Sequence, residues 1–278
     1  MIKFLMNAYR HSPLHSARAG RMLAGLLSRY QKALGKPTRV TKEINGITYE
    51  LDLTQVIDSS LYYSGSFEPK SEAIMAHFLK AGMCALDIGA NIGYHSLRMA
   101  SLVAPGGQVH AIEPMSWAVA RLTRNLQLNP QITNISIHHL ALSDESLEKQ
   151  EISFRASYRL DGRDELQSEK ITMWKLDDFL QGQAVHKLDF IKMDVDGYEG
   201  KIFKGARETI LTQHPMMLFE FNPSEIIRTG CQPEDLLNFL MVSGYQLFND
   251  DLKEMDRASL DAVLHHADQS CMIFAQWA

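Results

Sequence analysis

From Met83 to Phe274 the chain alternates short apolar runs with longer segments of helical periodicity, and this leaves few folds open. Met83–Ile88, Gln108–Ile112, Ile135–Leu140, Leu188–Met193, Met216–Phe221, Tyr245–Phe248 and Cys271–Phe274 have the length and composition of strands. Between them, Asn91–Val103, Trp117–Leu128, Tyr198–Thr212 and Pro233–Val242 read as helices. Apolar strands separated by helices require a largely parallel sheet covered on both faces, because each crossover returns the chain to the same edge. Glu151–Lys175 breaks the alternation: β-like runs at Glu151–Phe154 and Lys170–Trp174 flank a polar connection and read as a hairpin excursion.

The part before Met83 follows another pattern. Met22, Leu23, Leu26, Leu27, Tyr30 and Leu34 recur at helical spacing and predict an amphipathic helix over about residues 17–35. Arg39–Leu53 carries two β-rich runs around Asn45-Gly46, a dipeptide suited to the positive φ angles of a type I′ hairpin turn. A loop through Tyr62, Tyr63 and Gly65 then leads to a helix that stops at Gly82. The expected division is a small helix and hairpin module over residues 1–68, followed by the alternating domain over 69–278.

Charge sharpens that division. The first 42 residues hold nine Lys or Arg and no Asp or Glu, which leaves 19 basic against 33 acidic groups in the remaining 236. Three accounts of the basic leader stand side by side: a helical cap on the body, a helix attracted to anionic lipid, and a removable organellar targeting segment. An acidic body argues against an extended phosphate-binding surface, so no nucleic-acid partner is expected. No apolar run reaches bilayer-spanning length, and Cys84, Cys231 and Cys271 are too far apart to suggest a disulfide framework. A cytoplasmic protein is expected, with peripheral membrane contact through the leader as the variant. His138-His139 and His265-His266 lack a second cluster at ligand spacing, and no metal is expected.

The strongest chemical signal is Ala85-Leu-Asp87-Ile-Gly89-Ala-Asn91-Ile-Gly93-Tyr94, at a strand-to-helix turn. Glycines there permit unusual backbone angles and close approach of a ligand, and the helix start presents free N–H donors. A dinucleotide loop needs glycine where Asn91 and Tyr94 stand, so the pyrophosphate reading fails. An acid at the strand end suits instead a cationic amino-acid group such as that of S-adenosylmethionine. Glu113, at the end of the next strand and 20 residues after Gly93, is placed to accept hydrogen bonds from both hydroxyls of a ribose.

These residues belong to a longer series of ordered blocks. Tyr63-Ser-Gly-Ser-Phe-Glu68-Pro69, Leu86-Asp-Ile-Gly-Ala-Asn-Ile-Gly-Tyr-His-Ser-Leu97, Ile112-Glu-Pro114 and Ala141-Leu-Ser-Asp144 come first. Leu176-Asp-Asp-Phe179, Asp189-Phe-Ile-Lys-Met-Asp-Val-Asp-Gly-Tyr-Glu199, Lys204-Gly-Ala206 and Phe219-Glu-Phe221 follow. From about Tyr49 to Phe221 the chain resembles the FkbM-type methyltransferases, S-adenosylmethionine-dependent enzymes that methylate hydroxyl groups. The resemblance implies a class I, Rossmann-like α/β sheet of seven strands, mostly parallel with the last antiparallel. It implies cofactor roles for Asp87, Gly89, Asn91, Gly93 and Glu113, with Ser143 and Asp144 beside the adenine and Glu68 helping to close the pocket. Glu68 reads equally well as a carboxylate favoured by a helix start, and Asp144 as a turn residue.

Ile191-Lys-Met-Asp194-Val-Asp196-Gly-Tyr-Glu199 puts three carboxylates past the fourth strand, at the edge where open α/β sheets bind ligands. Methyl transfer to a hydroxyl requires aligned reactants and removal of the hydroxyl proton. Asp194 is the first candidate for that place, followed by Glu199 and His95 as bases. Asp196-Gly197 also reads as a simple turn and Glu199 as a helix-start residue. Asn222-Pro223-Ser224 follows the fifth strand rather than the fourth, and reads as a helix or turn start rather than an amino-methylating motif.

The expected reaction is methylation of a hydroxyl on a sugar, glycan or small-molecule natural product. The rivals are a methyltransferase acting on a nitrogen of nucleic acid or protein, and a non-catalytic, membrane-associated cofactor-binding scaffold. The sequence gives no purchase on oligomeric state.

Overall fold

A computed structural model describes residues 35, 37–155, 166–265 and 269–278. The amphipathic helix expected over about 17–35 lies outside the described residues, apart from Gly35. The chain divides into two compact units. The described residues up to Pro69, with Arg124–Pro130 and Ile152–Glu169, form one; Lys70–Thr123, Gln131–Glu151 and Lys170–Ala278 form the other.

In the first unit, β1 (Arg39–Ile44) and β2 (Ile47–Asp52) form the hairpin, with Arg39 opposite Asp52 and Ile44 opposite Ile47. Asn45 and Gly46 take φ of 52° and 77°, as a type I′ turn requires. The free edge of β2 is engaged by amide side chains. Asn129 Oδ1 accepts from Thr48 N at 2.8 Å, Asn129 Nδ2 donates to Thr48 O at 2.7 Å, and Asn125 Oδ1 accepts from Glu50 N at 2.8 Å. The spacings match: two strand residues advance about 6.6 Å, and four residues at helical rise advance about 6 Å. A helix, α1 (Val56–Ser64), follows where the sequence suggests a loop. Its serines and β-branched residues are weak helix formers. Burial of Leu61, the bond from Ser59 Oγ to Leu53 O and a left-handed Gly65 at its end hold it.

The second unit contains α2 (Pro69–Phe78) from Lys70 onward, β3 (Cys84–Ile88), α3 (Tyr94–Val103), β4 (Gln108–Ile112) and the first two turns of α4 (Ser116–Gln127). β5 (Ile135–His138), β6 (Ala141–Leu142), β7 (Leu147–Arg155), β8 (Leu166–Trp174) and α5 (Leu176–Gly182) come next. The chain then runs through β9 (Phe190–Met193), α6 (Glu199–Gly205), α7 (Arg207–Gln213), β10 (Met216–Phe221) and α8 (Pro223–Arg228). It ends with α9 (Pro233–Val242), β11 (Tyr245–Asn249), α10 (Arg257–His265) and β12 (Cys271–Trp277).

Seven strands form one sheet in the order β11-β12-β10-β9-β3-β4-β5. Neighbours from β10 to β5 are parallel, and β12 runs antiparallel to both β10 and β11. The expected seven-stranded, mostly parallel sheet with an antiparallel last strand is therefore present. The interrupting segment forms a separate three-stranded sheet, β6-β8-β7. Tyr198–Thr212, expected as one helix, is broken at Ala206 into α6 and α7.

Strand parity sorts the core into two layers. Leu86, Ile88, Ile191, Met193, Met217, Phe219, Ile273 and Ala275 point to the face covered by α5, α6 and α9. Ala85, Val109, Phe190, Leu218 and Phe274 point to the other, against Ile74, Met75 and Leu79 from α2 and its end and Met99, Ala100 and Val103 of α3. Strand order reverses between β3 and β9, since β4 and β5 lie to one side and β10 to the other. The carboxyl ends of β3 and β9 are thus the topological switch point. No helix among the described residues is long and apolar enough to cross a membrane.

Candidate active site at the carboxyl edge of the sheet

Three polar side chains share the second of those faces. Asp87 pairs in register with Lys192, so both project to one side, and Asp194 follows two residues later along the same strand direction. Asp87 and Lys192 are buried, at 0% and 2% exposure. Lys192 Nζ lies 3.8 Å from Asp87 Oδ1 and 3.6 Å from Asp194 Oδ2. Asp87 Oδ2 accepts from Ser96 Oγ of α3 at 2.5 Å, whereas Oδ1 has no hydrogen-bond donor among the described residues. A cation buried among apolar residues is stable only beside opposite charge, and Lys192 has a carboxylate on either side.

A fourth group joins this row from the neighbouring strand. Phe219 pairs with Met193 in parallel register, so Glu220 on β10 stands one step on, beside Asp194. Burial, reinforced by the Asp194 charge, pushes the Glu220 carboxyl up to about 8. Glu220 was not among the sequence candidates. The available signal was a lone acid inside Met216-Met-Leu-Phe-Glu-Phe221, a central strand that is otherwise wholly apolar; Lys192 in Phe190-Ile-Lys-Met193 carries the same signal. Glu199, the first residue of α6, is buried, accepts from Val195 N at 3.1 Å, and is pushed up to about 8, chiefly by burial.

The glycine turn is shaped by protein neighbours. Gly89 has φ 81°, and a Cβ there would overlap the carbonyl oxygen of Asp194. Gly93 has φ 84°, and a Cβ there would overlap the Leu122 side chain. The close approaches that demand glycine are thus strand end to strand end and helix to helix. Asn91, at φ 49°, donates its backbone N–H to Glu113 Oε2 at 2.7 Å, and Met115 N donates to Glu113 Oε1 at 2.9 Å. Burial raises the Glu113 carboxyl to about 7 despite those two donors.

The remaining candidates are spread around this centre. Ser143 is buried against α6, where a Cβ on Gly205 would overlap its carbonyl, and its Oγ donates to Asp144 Oδ1 at 2.9 Å. His95 is 7% exposed beside Tyr94 in the first turn of α3. Asp196 and Gly197 form a turn with φ 51° and 97°, pinned by Thr229 Oγ1 donating to Gly197 O at 2.8 Å and Arg228 Nη2 to Asp196 O at 3.1 Å. Asn222 caps α8, accepting from Glu225 N, so it serves as the expected helix start. Glu68 belongs to the first unit. Among the described residues no three His, Cys, Asp or Glu side chains are grouped as metal ligands; His138 instead meets His110, Nε2 to Nδ1 at 3.0 Å.

A sheet reversing at β3 and β9, a glycine turn lacking the second and third glycines of a dinucleotide loop and a buried acid after β4 define the class: a Rossmann-like transferase. The sequence profile of the methyltransferase FkbM domain matches residues 87–247. The chain belongs to the FkbM methyltransferase family, enzymes that draw their methyl group from S-adenosylmethionine. It is 34% identical over 116 residues to a tRNA wybutosine-synthesizing protein 2 homolog of Danio rerio, covering 40% of this chain and 27% of that protein. It is 41% identical over 49 residues to a protein-L-isoaspartate O-methyltransferase of Methanothrix thermoacetophila, covering 18% and 23%. The chain thus spans about a quarter of the length of the curated relatives it matches. The crystal structure of methyltransferase FkbM from Methylobacillus flagellatus KT aligns with a TM-score of 0.43 at 19% identity, over 70% of this chain and 43% of that one.

The residues present fit the family's cofactor. Each oxygen of the buried Glu113 accepts one backbone N–H and keeps a second lone pair, the arrangement a ribose diol needs. Asp87 Oδ1 and Trp117 Nε1, on either side of that acid in sequence, are buried without hydrogen-bond partners among the described residues.

Proposed function

We propose that this chain transfers a methyl group from S-adenosylmethionine to a hydroxyl of a sugar, glycan or small-molecule natural product. The cofactor supplies a methyl group on a positively charged sulfur, a strong electrophile that needs little activation. What remains for the protein is to bind, align and deprotonate. Glu113 holds the ribose hydroxyls, Asp87 faces the ammonium of the amino-acid end, and Ser143 with Asp144 borders the adenine. Asn91 supports Glu113 through its backbone N–H, and Gly89 and Gly93 keep the turn compact enough for the crevice to form.

The observation that carries the hydroxyl reading is the setting of Asp194. Its side chain is 31% exposed while tied to Lys192, which is buried. An acceptor can reach it, and the carboxylate is held in one place. Asp196, two residues further along the chain, adds negative charge that favours neutral or cationic acceptors and opposes a polyanion. The similarity to a tRNA-modifying protein over 40% of the chain supports the second reading, a nitrogen acceptor in nucleic acid. That reading requires retention on RNA that weakens steeply with salt and depends on the basic leader.

The decisive experiment pairs calorimetry against S-adenosylhomocysteine and NAD with radiolabelled methyl transfer into fractionated cell extract. Binding of the first ligand alone, and label in a glycan or small-molecule fraction that survives nuclease and protease, is expected. Label confined to RNA or protein would overturn the hydroxyl assignment.

A further inference from the structure

We propose that Glu220 and Asp194 act as one proton-holding unit, and that the proton leaving the acceptor hydroxyl enters the space between them. This rests on the hydroxyl reading above. A lone aspartate is a weak base toward an alcohol, because its conjugate acid gives the proton back too readily. Two carboxylates pressed together behave otherwise: the second proton-binding step belongs to the pair and moves toward neutral pH, since two negative charges in contact repel.

Three independent observations place the pair. The parallel register of β9 and β10, with Met193 opposite Phe219, sets residues 194 and 220 on neighbouring strands and on the same face. The Asp194 charge adds to burial in raising the Glu220 carboxyl, as two acids side by side on one face require. Lys192 stands 3.6 Å from Asp194 Oδ2, which favours the charge on Asp194 and leaves the proton with Glu220.

Asp196 adds negative charge from the turn after β9, Glu199 from α6, and Asp87 lies beyond Lys192 on β3. Ser270 donates a hydrogen bond to Glu220 from the approach to β12, where the neighbouring Cys271 thiol is raised by burial, Asp250 and Glu220 itself. Apart from Lys192, these ionisable groups are acidic, so they too hold protons on the pair.

The balance is simple. Before transfer the fully ionised pair carries two negative charges; as the acceptor oxygen loses its hydrogen the pair takes that proton and carries one. The proton then leaves to solvent from Asp194, the more exposed member. Glu220 acts through Asp194 and is a positioning residue; Asp194 is the group that meets the acceptor.

The test has two arms. In the ligand-free chain, side-chain carboxyl resonances of ¹³C-labelled Asp and Glu are followed from about pH 4 to about pH 9. One aspartate and one glutamate are expected to shift together, and Glu220→Gln should remove the upper step of that aspartate. Independent titration of Asp194 and Glu220 would overturn the proposal. In the second arm, the wild-type rate should climb from about pH 6 to about pH 9. Glu220→Gln should flatten that climb and lower kcat about a hundredfold at the alkaline end. KM and S-adenosylhomocysteine affinity should stay within about twofold, and Glu220→Asp should restore part of the slope. An unchanged pH profile in Glu220→Gln would also overturn it. A wild-type chain that shows the joint titration but methylates no hydroxyl defeats the reading of the reaction, and the proton-receiving role with it, while leaving the proton sharing in place.

Discussion

The backbone carbonyl of Asp194 fills the space that a side chain on Gly89 would need. The glycine turn after β3 and the proposed methyl-transfer carboxylate are therefore adjacent through main chain, at the reversal point of the sheet. Gly89→Ala faces both a left-handed φ of 81° and a collision with an atom that cannot rotate away. Its expected cost is about 2–4 kcal/mol. Gly230 gives the contrast, with φ 86° and nothing within 4 Å of a Cβ, so Gly230→Ala should cost only about 1 kcal/mol. Urea unfolding of both variants measures the difference, and equal losses would mean that the Asp194 contact counts for nothing.

Glu113→Gln preserves shape but offers one acceptor oxygen where the ribose diol calls for two. Affinity for S-adenosylhomocysteine is expected to fall about 10- to 100-fold by calorimetry on protein whose circular dichroism matches wild type. An unchanged affinity would remove Glu113 from the cofactor site.

The pH dependence of stability has two opposing limbs. Glu113, Glu199 and Glu220 have carboxyls raised in the folded chain, to about 7, about 8 and about 8. The unfolded chain sheds those protons first, so stability is fullest below about pH 4.5 and is lost as pH rises through about 7–8. His110 and His138 are lowered, the latter to about 4, first by burial and, for His138, also by the facing ring. Their contribution is present above about pH 6.5 and lost as pH falls toward about 4. The three carboxyls outweigh the two histidines above about pH 4.5, so the ligand-free chain should be most stable near about pH 4–5, by melting temperature against pH. Glu199→Gln, which keeps an acceptor for Val195 N–H, should gain about 1–3 kcal/mol at about pH 8. A wild-type maximum at alkaline pH would contradict the raised carboxyls.

If the basic leader seeks anionic lipid, the full chain should co-sediment with phosphatidylserine vesicles and a chain beginning at Lys36 should not, with the difference vanishing in high salt. Equal recovery of the two would assign the leader elsewhere.

What the sequence makes legible follows from what is local. Asn45-Gly46 dictates its own turn, and apolar runs of strand length give the seven strands, since a central parallel strand tolerates little else. α1 was hidden because Val56-Ile-Asp-Ser-Ser has weak helical preference, and its stability comes from tertiary contacts. α8 and α10 are short segments whose boundaries are set by packing. The acids at Asp87, Glu113 and Asp194 could be singled out because each ends a strand. The link from Glu220 to Asp194 could not, because it depends on which strands become neighbours and in what register, and β9 and β10 are joined by more than twenty residues. The positive φ that such glycines permit is present at Gly89 and Gly93, while their crowding by Asp194 and Leu122 depends on tertiary neighbours that the sequence does not name.

The amides of Asn125 and Asn129 along β2 have a consequence for handling the protein. A hairpin at the margin of a unit offers its outer main chain to any extended polypeptide that drifts past, and these two side chains occupy that row at Thr48 and Glu50. Replacing either with alanine uncovers a template for strand addition, so solutions of such a variant should turn cloudy at concentrations where the parent stays clear.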